Sequence, residues 1–202
     1  MTALRHVAAA ADGRKARAVP PPWGADPSLD RLVVSEDELQ AVVRSLGERV
    51  SADHLGRGDE VLLCVAVLKG AFLFMADLAR AITCPAEFDF MAVSSYGAAT
   101  KTSGVVRIVK DLDADLSGRH VLVVEDVVDS GLTLSWLRKN LWARGPASLE
   151  VCALLVKEGL QRKDPDLRYE GFRIPPDFVV GYGLDADERY RNLPFICTYA
   201  PR

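Results

Sequence analysis

The feature that most constrains this chain is an apolar run that ends in carboxylates, VVEDVVDSGLT at 123–133. The apolar, largely β-branched residues at 121–124 are typical of a strand buried inside a sheet. Glu125, Asp126 and Asp129 follow closely, and burying an unpaired charge is very costly. The strand must therefore end at an edge of its sheet, or its three carboxylates must meet partners there.

Strand-like and helical segments alternate along the chain. Apolar, β-patterned runs lie at 60–68, 87–93, 105–111, 119–125, 149–156 and 177–183. The stretches AFLFMADLARAI and LTLSWLRKNLWARGP favour helices between them. A capping box of Ser35 and Glu38 predicts the start of another helix, which Gly56 and Gly58 should end. This alternation predicts an α/β fold with a mainly parallel central sheet.

Length and composition favour one domain. With 202 residues, of which 49% are hydrophobic, the chain can bury one sizeable core. We expect a single domain at 29–202, preceded by a disordered tail at 1–28, for which an organelle transit peptide is the alternative. Because no apolar stretch approaches the length of a membrane span, we expect no membrane partner.

Charge, cysteine and histidine content narrow the function further. A net charge of −3 argues against broad contact with a nucleic-acid backbone, so no nucleic-acid partner is expected. The four cysteines show no CxxC spacing, which is typical of reduced, buried thiols in a cytoplasmic protein. The three histidines do not cluster and none neighbours a nucleophile motif. This argues against a Ser-His-Asp triad, a Cys-His pair and a histidine-zinc site alike.

The segment Asp129-Ser130-Gly131-Leu132-Thr133 joins a strand to a helix, at the edge where open α/β sheets bind ligands. Its backbone N–H groups, two hydroxyls and helix N-terminus suit a phosphate monoester, and Gly131 would allow close approach. Neither GxxxxGK[ST] nor GxGxxG is present, which excludes a P-loop and a dinucleotide fingerprint. The alternative is an ordinary turn in which Asp129 and Ser130 cap the helix.

Capping does not explain the two carboxylates that precede this turn. Glu125 and Asp126 are adjacent on a strand, so their side chains point to opposite faces and do not chelate one ion side by side. Each should meet its own hydroxyl, water or cation. Sugar hydroxyls and hydrated magnesium are the natural candidates.

Several segments together carry a resemblance to a known family. VLVVEDVVDSGLTL resembles the phosphoribosyl pyrophosphate signature of the type I phosphoribosyltransferases. LKGAF, SSYG, LLVK and PDFVVGYGLDADERYRNLP follow the order of the hypoxanthine-guanine branch, from about residue 32 to the C-terminus. The resemblance implies that family's fold, a mainly parallel sheet flanked by helices with a small hood built from the chain ends. It also implies a homodimer or homotetramer.

The implied reaction is magnesium-dependent purine salvage, in which phosphoribosyl pyrophosphate and hypoxanthine or guanine give IMP or GMP and pyrophosphate. Glu125 and Asp126 would serve the ribose hydroxyls and their magnesium shell, and Asp129 would transfer a proton at the purine. Ser130, Gly131, Leu132 and Thr133 would hold the ribose phosphate. Lys69, Gly70 and Arg191 would serve the pyrophosphate, with a non-proline cis peptide at Leu68-Lys69.

The purine site implied by the resemblance contains Lys157, Phe178, Val179 and Asp185. Lys157 would donate to the exocyclic oxygen, Phe178 would stack on the ring and Val179 would contact it through its backbone. Asp185 would bind a second magnesium ion. The segment 94–104, with Ser95 and Tyr96, would form a lid, because it is rich in small and polar residues between two strands.

Two positions depart from the family pattern. Ala186 stands where an aromatic residue is common, and Glu158-Gly159 follows Lys157 where a different short loop is expected. Hypoxanthine, guanine and xanthine share the exocyclic oxygen that Lys157 would contact, so this contact does not distinguish the three bases. The rival hypothesis is a regulator on the same scaffold that binds nucleic acid, with Arg14, Lys15 and Arg17 as its only basic candidate segment.

Overall fold

The structure is a computed structural model that describes residues 17–55, 60–95, 106–161 and 165–201. In chain order the elements are β1 (Leu29–Val34), α1 (Glu36–His54), β2 (Leu62–Leu68), α2 (Phe72–Ala81), β3 (Ala86–Ser95), β4 (Val106–Lys110), β5 (His120–Val128), α3 (Leu132–Trp142), β6 (Ser148–Lys157), β7 (Tyr169–Ile174), β8 (Val179–Val180) and β9 (Ile196–Tyr199). The predicted α/β class is confirmed.

Six strands form the central sheet, in the order β4-β3-β2-β5-β6-β7. Every neighbouring pair is parallel except β3 and β4. Leu62, Cys64 and Ala66 face the core under α1 and α2, whereas Leu63 and Val65 face the core under α3. Burial on both faces explains why the strand sequences are apolar runs rather than alternating patterns.

The capping box at the start of α1 is confirmed. The Ser35 backbone amide donates to the Glu38 carboxylate at 2.8 Å, and the Glu38 amide donates to the Ser35 hydroxyl at 3.4 Å. The helix ends at His54 with Leu55 as its C-cap. The glycines expected to end it, Gly56 and Gly58, lie outside the described residues.

A second, antiparallel sheet of three strands in the order β1-β9-β8 forms the hood implied by the resemblance. Of the run expected to be a strand at 177–183, only Val179–Val180 is one, because positive φ angles at Gly181, Tyr182 and Gly183 turn the chain away. Phe195, Leu193 and Val180 form the core of the hood.

Residues 17–28, which were expected to belong to the disordered tail, make packed contacts in the structure. Val19 is buried in the hood core, Trp23–Ala25 form a short 3-10 turn, and the Arg17 guanidinium pairs with the Glu38 carboxylate at 2.7 Å. Residues 17–28 are thus part of the packed fold. The apolar contacts that hold them could not be predicted from their composition. Part of the basic segment considered for nucleic acid, Arg17, is already paired, while Arg14 and Lys15 lie outside the described residues.

Strand β7 was not anticipated from the sequence. It contains Gly171, where an added Cβ atom would lie only 2.5 Å from the carbonyl oxygen of Leu154 on β6. The glycine interrupts the apolar pattern because it allows the two backbones to approach closely. This strand completes the sheet on the side that carries Lys157.

All four cysteines are free and buried, as expected. Desolvation raises the pKa of both Cys64 and Cys197 to about 12, so both remain thiols at neutral pH. Among the helices in the described parts of the chain, none has the length and apolar character required to traverse a bilayer.

Candidate active site

Three segments meet around Gly70 at the edge where the parallel strands end. A Cβ atom added to Gly70 would lie 1.5 Å from Oδ2 of Asp126, and one added to Gly183 would lie 2.0 Å from the Gly70 carbonyl oxygen. The end of β2, the end of β5 and the segment after β8 are therefore in direct contact. The peptide bond between Leu68 and Lys69 is cis, as the resemblance implies.

Glu125 and Asp126 lie within β5, which continues to Val128 rather than ending at Glu125 as expected. Burial, and secondarily the charge of Asp126, raises the pKa of Glu125 well above its ordinary value. Burial also raises the pKa of Asp126 to about 6, against the opposing effect of the Val127 amide, which donates to its Oδ1 at 2.7 Å. Two neighbouring carboxylates that are hard to ionise together suit a bound cation.

The three expected magnesium ligands suit magnesium as one pair and one separate residue, not as a group of three. Within the described residues, no group of three or more His, Cys, Asp or Glu side chains could hold a metal ion, so Glu125, Asp126 and Asp185 do not form one ligand cluster. Magnesium keeps several waters and is commonly bound by one or two carboxylates together with substrate phosphates. The carboxylate pair on β5 can serve an ion of that kind, and Asp185 can serve a separate one.

Asp129 and Lys157 come together from neighbouring strands. The β5 and β6 strands pair in parallel up to Val128 and Val156, so the residues that follow emerge side by side. The Lys157 Nζ atom lies 2.9 Å from Oδ1 of Asp129. The lysine side chain is 11% exposed and the aspartate side chain 52%, which leaves the carboxylate accessible to a ligand.

The turn before α3 does not use the alternative capping role considered for Asp129. Gly131 is the N-cap, it has a φ of 75°, and no side chain caps it with a hydrogen bond. The Leu132 amide makes only a 3.5 Å contact with the Ser130 hydroxyl. Because a Cβ atom on Gly131 would meet open space, the left-handed φ rather than crowding explains the glycine. The helix start at Leu132 with Thr133 leaves an N-terminus suited to an anion.

A cluster of ion pairs links the proposed pyrophosphate residues. The Lys69 ammonium lies 3.0 Å from Glu188, and the Arg191 guanidinium lies 3.1 Å from Glu188 and 2.8 Å from Asp185. Arg191 also donates to the Gly183 carbonyl at 2.8 Å. Glu188 was missed from the sequence, where an exposed acid next to Arg189 looked like any solvated residue. Its carboxylate pairs with both cations that the resemblance assigns to pyrophosphate.

Phe178 and Val179 lie where the hood meets the sheet. The Phe178 residue is 54% exposed, and its ring centroid lies 5.9 Å from that of Tyr199, which was not anticipated as a neighbour. Val179 pairs with Thr198 in the hood. Strand β7 ends at Ile174, which pairs with Lys157, and Phe178 follows four residues later.

The remaining expected site positions are placed only in part. Ala186 is buried in the hood core and forms an isolated bridge with Arg189. Ser95 is the last residue of β3. Tyr96 and most of the expected lid lie outside the described residues, so the lid stays a prediction.

Comparison with known proteins gives consistent matches. Residues 35–187 match the family model described as phosphoribosyl transferase domain. The chain is 55% identical over 178 residues to a hypoxanthine-guanine phosphoribosyltransferase of Mycobacterium tuberculosis, covering 86% of this chain and 88% of that protein. It is 45% identical over 165 residues to a hypoxanthine phosphoribosyltransferase of Salmonella typhimurium, covering 82% and 92% respectively.

Solved structures show the same similarity in three dimensions. A hypoxanthine phosphoribosyltransferase of Staphylococcus aureus superposes with a TM-score of 0.80 at 40% identity, covering 86% of this chain and 93% of that one. A mutant hypoxanthine phosphoribosyltransferase of Trypanosoma cruzi, solved as a ternary substrates complex, gives a TM-score of 0.80 at 37% identity, covering 86% and 97%.

Proposed function

This chain belongs to the hypoxanthine-guanine phosphoribosyltransferase family and has that activity in purine salvage, and from this premise we propose which residues perform it. The reaction transfers the phosphoribosyl group from phosphoribosyl pyrophosphate to hypoxanthine or guanine, giving IMP or GMP and pyrophosphate. The observation that supports the assignment most strongly is the 2.9 Å pair of Asp129 and Lys157 beside the carboxylates of β5.

The ribose phosphate is held by the turn 130–133. Its amides and hydroxyls lie at the N-terminus of α3, where the helix dipole favours an anion. The left-handed Gly131 allows the chain to turn sharply from β5 into this helix. Glu125 and Asp126, directly upstream, accept hydrogen bonds from the ribose hydroxyls.

Magnesium is the proposed cofactor: Glu125 and Asp126 would hold it together with the ribose hydroxyls, and Asp185 would hold a second ion. When bound, the ion supplies positive charge that neutralises pyrophosphate. The adjacent carboxylates of Asp126 and the buried Glu125 support this choice, because a cation would favour their ionised forms.

The pyrophosphate leaves as the anomeric C–O bond breaks and the purine nitrogen bonds to the same carbon. Lys69 and Arg191 stabilise the negative charge on the departing group, for which they must exchange their ion pairs with Glu188. The ribose gains oxocarbenium character in this dissociative step. The close approach of Gly70 to the Asp126 carboxylate keeps the leaving-group and ribose sites adjacent.

At the purine, Lys157 donates to the exocyclic oxygen, Phe178 stacks on the ring and Val179 contacts it through its backbone. Asp129 exchanges a proton with the imidazole side of the base. The ion pair places the proton-transferring carboxylate and the oxygen-binding ammonium within one hydrogen bond of each other. This arrangement selects a purine that carries an oxygen.

The protein is proposed to act in the cytoplasm as a homodimer or homotetramer. Its four free, buried cysteines suit a reducing compartment. Phe88 and Phe90 of β3 are 42% and 36% exposed on the same face of their strand, which offers apolar surface for contact with another copy.

A nucleotide-formation assay with phosphoribosyl pyrophosphate, magnesium and each purine separately tests the proposed base site. Hypoxanthine and guanine should be converted, whereas adenine should be a very poor substrate, because Lys157 would face its amino group as a donor facing a donor. Adenine turnover comparable to that of guanine would contradict the role of Lys157.

A further inference from the structure

The loop after β6, where the sequence departs from the family pattern, returns a side chain to the active site. The Glu158 amide donates to the Ile174 carbonyl at 2.8 Å, and Gly159 turns the chain with a φ of 73°. This turn brings Gln161 back toward the end of β5. The departure thus has a structural consequence at the purine end of the site.

The Gln161 side-chain amide contacts the backbone on both functional strands. Its Nε2 donates to the Asp129 carbonyl at 2.7 Å and to the Lys157 carbonyl at 2.5 Å, with a longer 3.4 Å contact to the Val128 carbonyl. The β5-β6 pairing reaches Val128 and Val156 and no further. Gln161 therefore links the two strands just beyond the last pair of their ladder.

We propose that Gln161 is a positioning residue, which rests on the proposed roles of Asp129 and Lys157. One amide nitrogen carries two N–H donors, and these join the main chains of the residue that transfers the proton and the residue that binds the purine oxygen. The bridge fixes the separation of the two backbones. The side chains then meet the ring of the base with the spacing that the proton transfer requires.

The competing explanation is that Gln161 merely anchors its loop. An anchoring role would use the same hydrogen bonds only to hold the loop, so its loss would lower stability without a selective effect on the chemical step. A positioning role depends on the two donors. Gln161→Glu keeps the shape but directs a carboxylate at carbonyl oxygens, and Gln161→Met keeps the length without any donor. Leu160→Ala, a change on the same loop at a 40% exposed residue, is the matched control.

Single-turnover rates of nucleotide formation from hypoxanthine, the Kd for phosphoribosyl pyrophosphate and thermal stability should be measured for all three variants. We expect Gln161→Met to slow the chemical step by roughly 10-fold to 10²-fold, since small misplacements of reacting groups have effects of that order. Gln161→Glu should be at least as slow. The Kd should stay within about twofold of the wild-type value, because the turn at 130–133 and its contacts are unchanged, and Leu160→Ala should match wild type.

A near wild-type rate for Gln161→Glu, or a rate loss matched by an equal loss of cosubstrate affinity, would overturn the proposal. If Gln161→Met does not fold, the isosteric Gln161→Glu still decides between shape and donors. Failure of the wild-type protein to form any nucleotide would instead count against the proposed function. The two failures are therefore distinguishable in one set of measurements.

Discussion

The central sheet has one edge where its parallel strands end and an opposite edge where they begin, and the carboxylates at these two edges lie in opposite electrostatic settings. At the edge where the parallel strands end, burial raises the pKa of Glu125 and of Asp126, and the neighbour that affects Glu125 is another acid. At the opposite edge, Asp53 accepts from Arg168 at 2.7 Å and from the Tyr169 hydroxyl at 2.9 Å. Although burial opposes them, these partners lower the pKa of Asp53.

This difference separates the proposed ligand site from a carboxylate that serves the fold. Asp53 is matched by a cation and a hydroxyl of the same chain, so its charge helps to join α1 to β7. The acids of β5 are consecutive strand residues with raised pKa values, which costs stability at neutral pH unless a cation or a hydroxyl-rich ligand interacts with them. Substitution of an acid of β5 should therefore affect activity more than stability, and substitution of Asp53 should affect stability more than activity.

The largest expected effect is that of Asp129→Asn. The amide keeps the hydrogen-bonding shape but cannot take up the purine proton, so the chemical step should slow by roughly 10²–10⁴-fold. Binding of phosphoribosyl pyrophosphate should change much less. Single-turnover kinetics and cosubstrate titration measure the two quantities separately.

Stability provides the control for Asp129→Asn. Because Gly131 is the N-cap and no side chain caps the helix, the substitution removes no cap. The Lys157 ammonium can still meet the asparagine carbonyl, so the midpoint of thermal unfolding should shift only slightly. A folded Asp129→Asn protein with a near wild-type chemical rate would refute the catalytic role.

The next effect concerns the contact between β2 and β5. In Gly70→Ala the new methyl group would occupy the position of the Asp126 carboxylate, which must rotate away from the ribose and metal positions. Since misplacement of a functional group by about 1 Å can cost 10²-fold, kcat/KM should fall by about that factor. Steady-state kinetics with varied phosphoribosyl pyrophosphate measure the loss.

Gly47→Ala is the matched control for Gly70→Ala. A Cβ atom on Gly47 would lie 2.5 Å from the Ala81 Cβ and 2.7 Å from its backbone carbonyl, so this variant also introduces a clash, but between α1 and α2, away from the site. The control should unfold at lower temperature, while its folded fraction keeps a normal kcat/KM. If both variants lose activity in proportion to stability, Gly70 has no special relation to Asp126.

The sequence predicts the central sheet well because its local patterns agree with the fold. Burial on both faces produces the apolar runs, and the Ser35-Glu38 box marks a helix start by local hydrogen bonds alone. Strand β7 was not predicted because Gly171 interrupts its apolar pattern. The reason for the glycine, the close approach of β7 to β6, is visible only in the folded chain. The packing of residues 17–28 depends in the same way on partners distant in the chain.

The site shows the same division between local and distant information. The turn at Asp129 could be placed because strand, carboxylate and glycine are contiguous. The assignment of both Asp129 and Lys157 to the purine followed only from the family resemblance, since the two residues lie 28 positions apart in the sequence. Their ion pair was not predicted. Glu188 and Gln161 were missed because an exposed acid and a loop glutamine have no local pattern, and their roles come from where neighbouring strands end.

The smallest expected effect is on stability, and it should have opposite signs at the two edges. Asp126→Asn removes a carboxyl whose pKa is about 6 in the fold. Since the ordinary value is about 3.9, the substitution should raise the free energy of unfolding by on the order of 1–2 kcal/mol at pH 8 in a buffer with chelator. Asp53→Asn should lower it by about 0.5–1 kcal/mol, because the ion pair is partly solvent-exposed.

The pH dependence sharpens this comparison. Because folding raises the pKa of Asp126, the wild-type protein loses this part of its stability as the pH rises from about 4 to 6, so the advantage of Asp126→Asn should vanish below that window. Because folding lowers the pKa of Asp53, its contribution is present above about pH 4 and is lost as the pH falls through the lowered value. Urea unfolding of both variants at pH 8, 6 and 4 measures the two trends.

Stability changes of the same sign at pH 8 would show that the acids of the two edges do not differ in the way their surroundings indicate. Opposite signs, with Asp126→Asn more stable yet inactive, would show that the carboxylates of β5 lower stability in order to bind ligands.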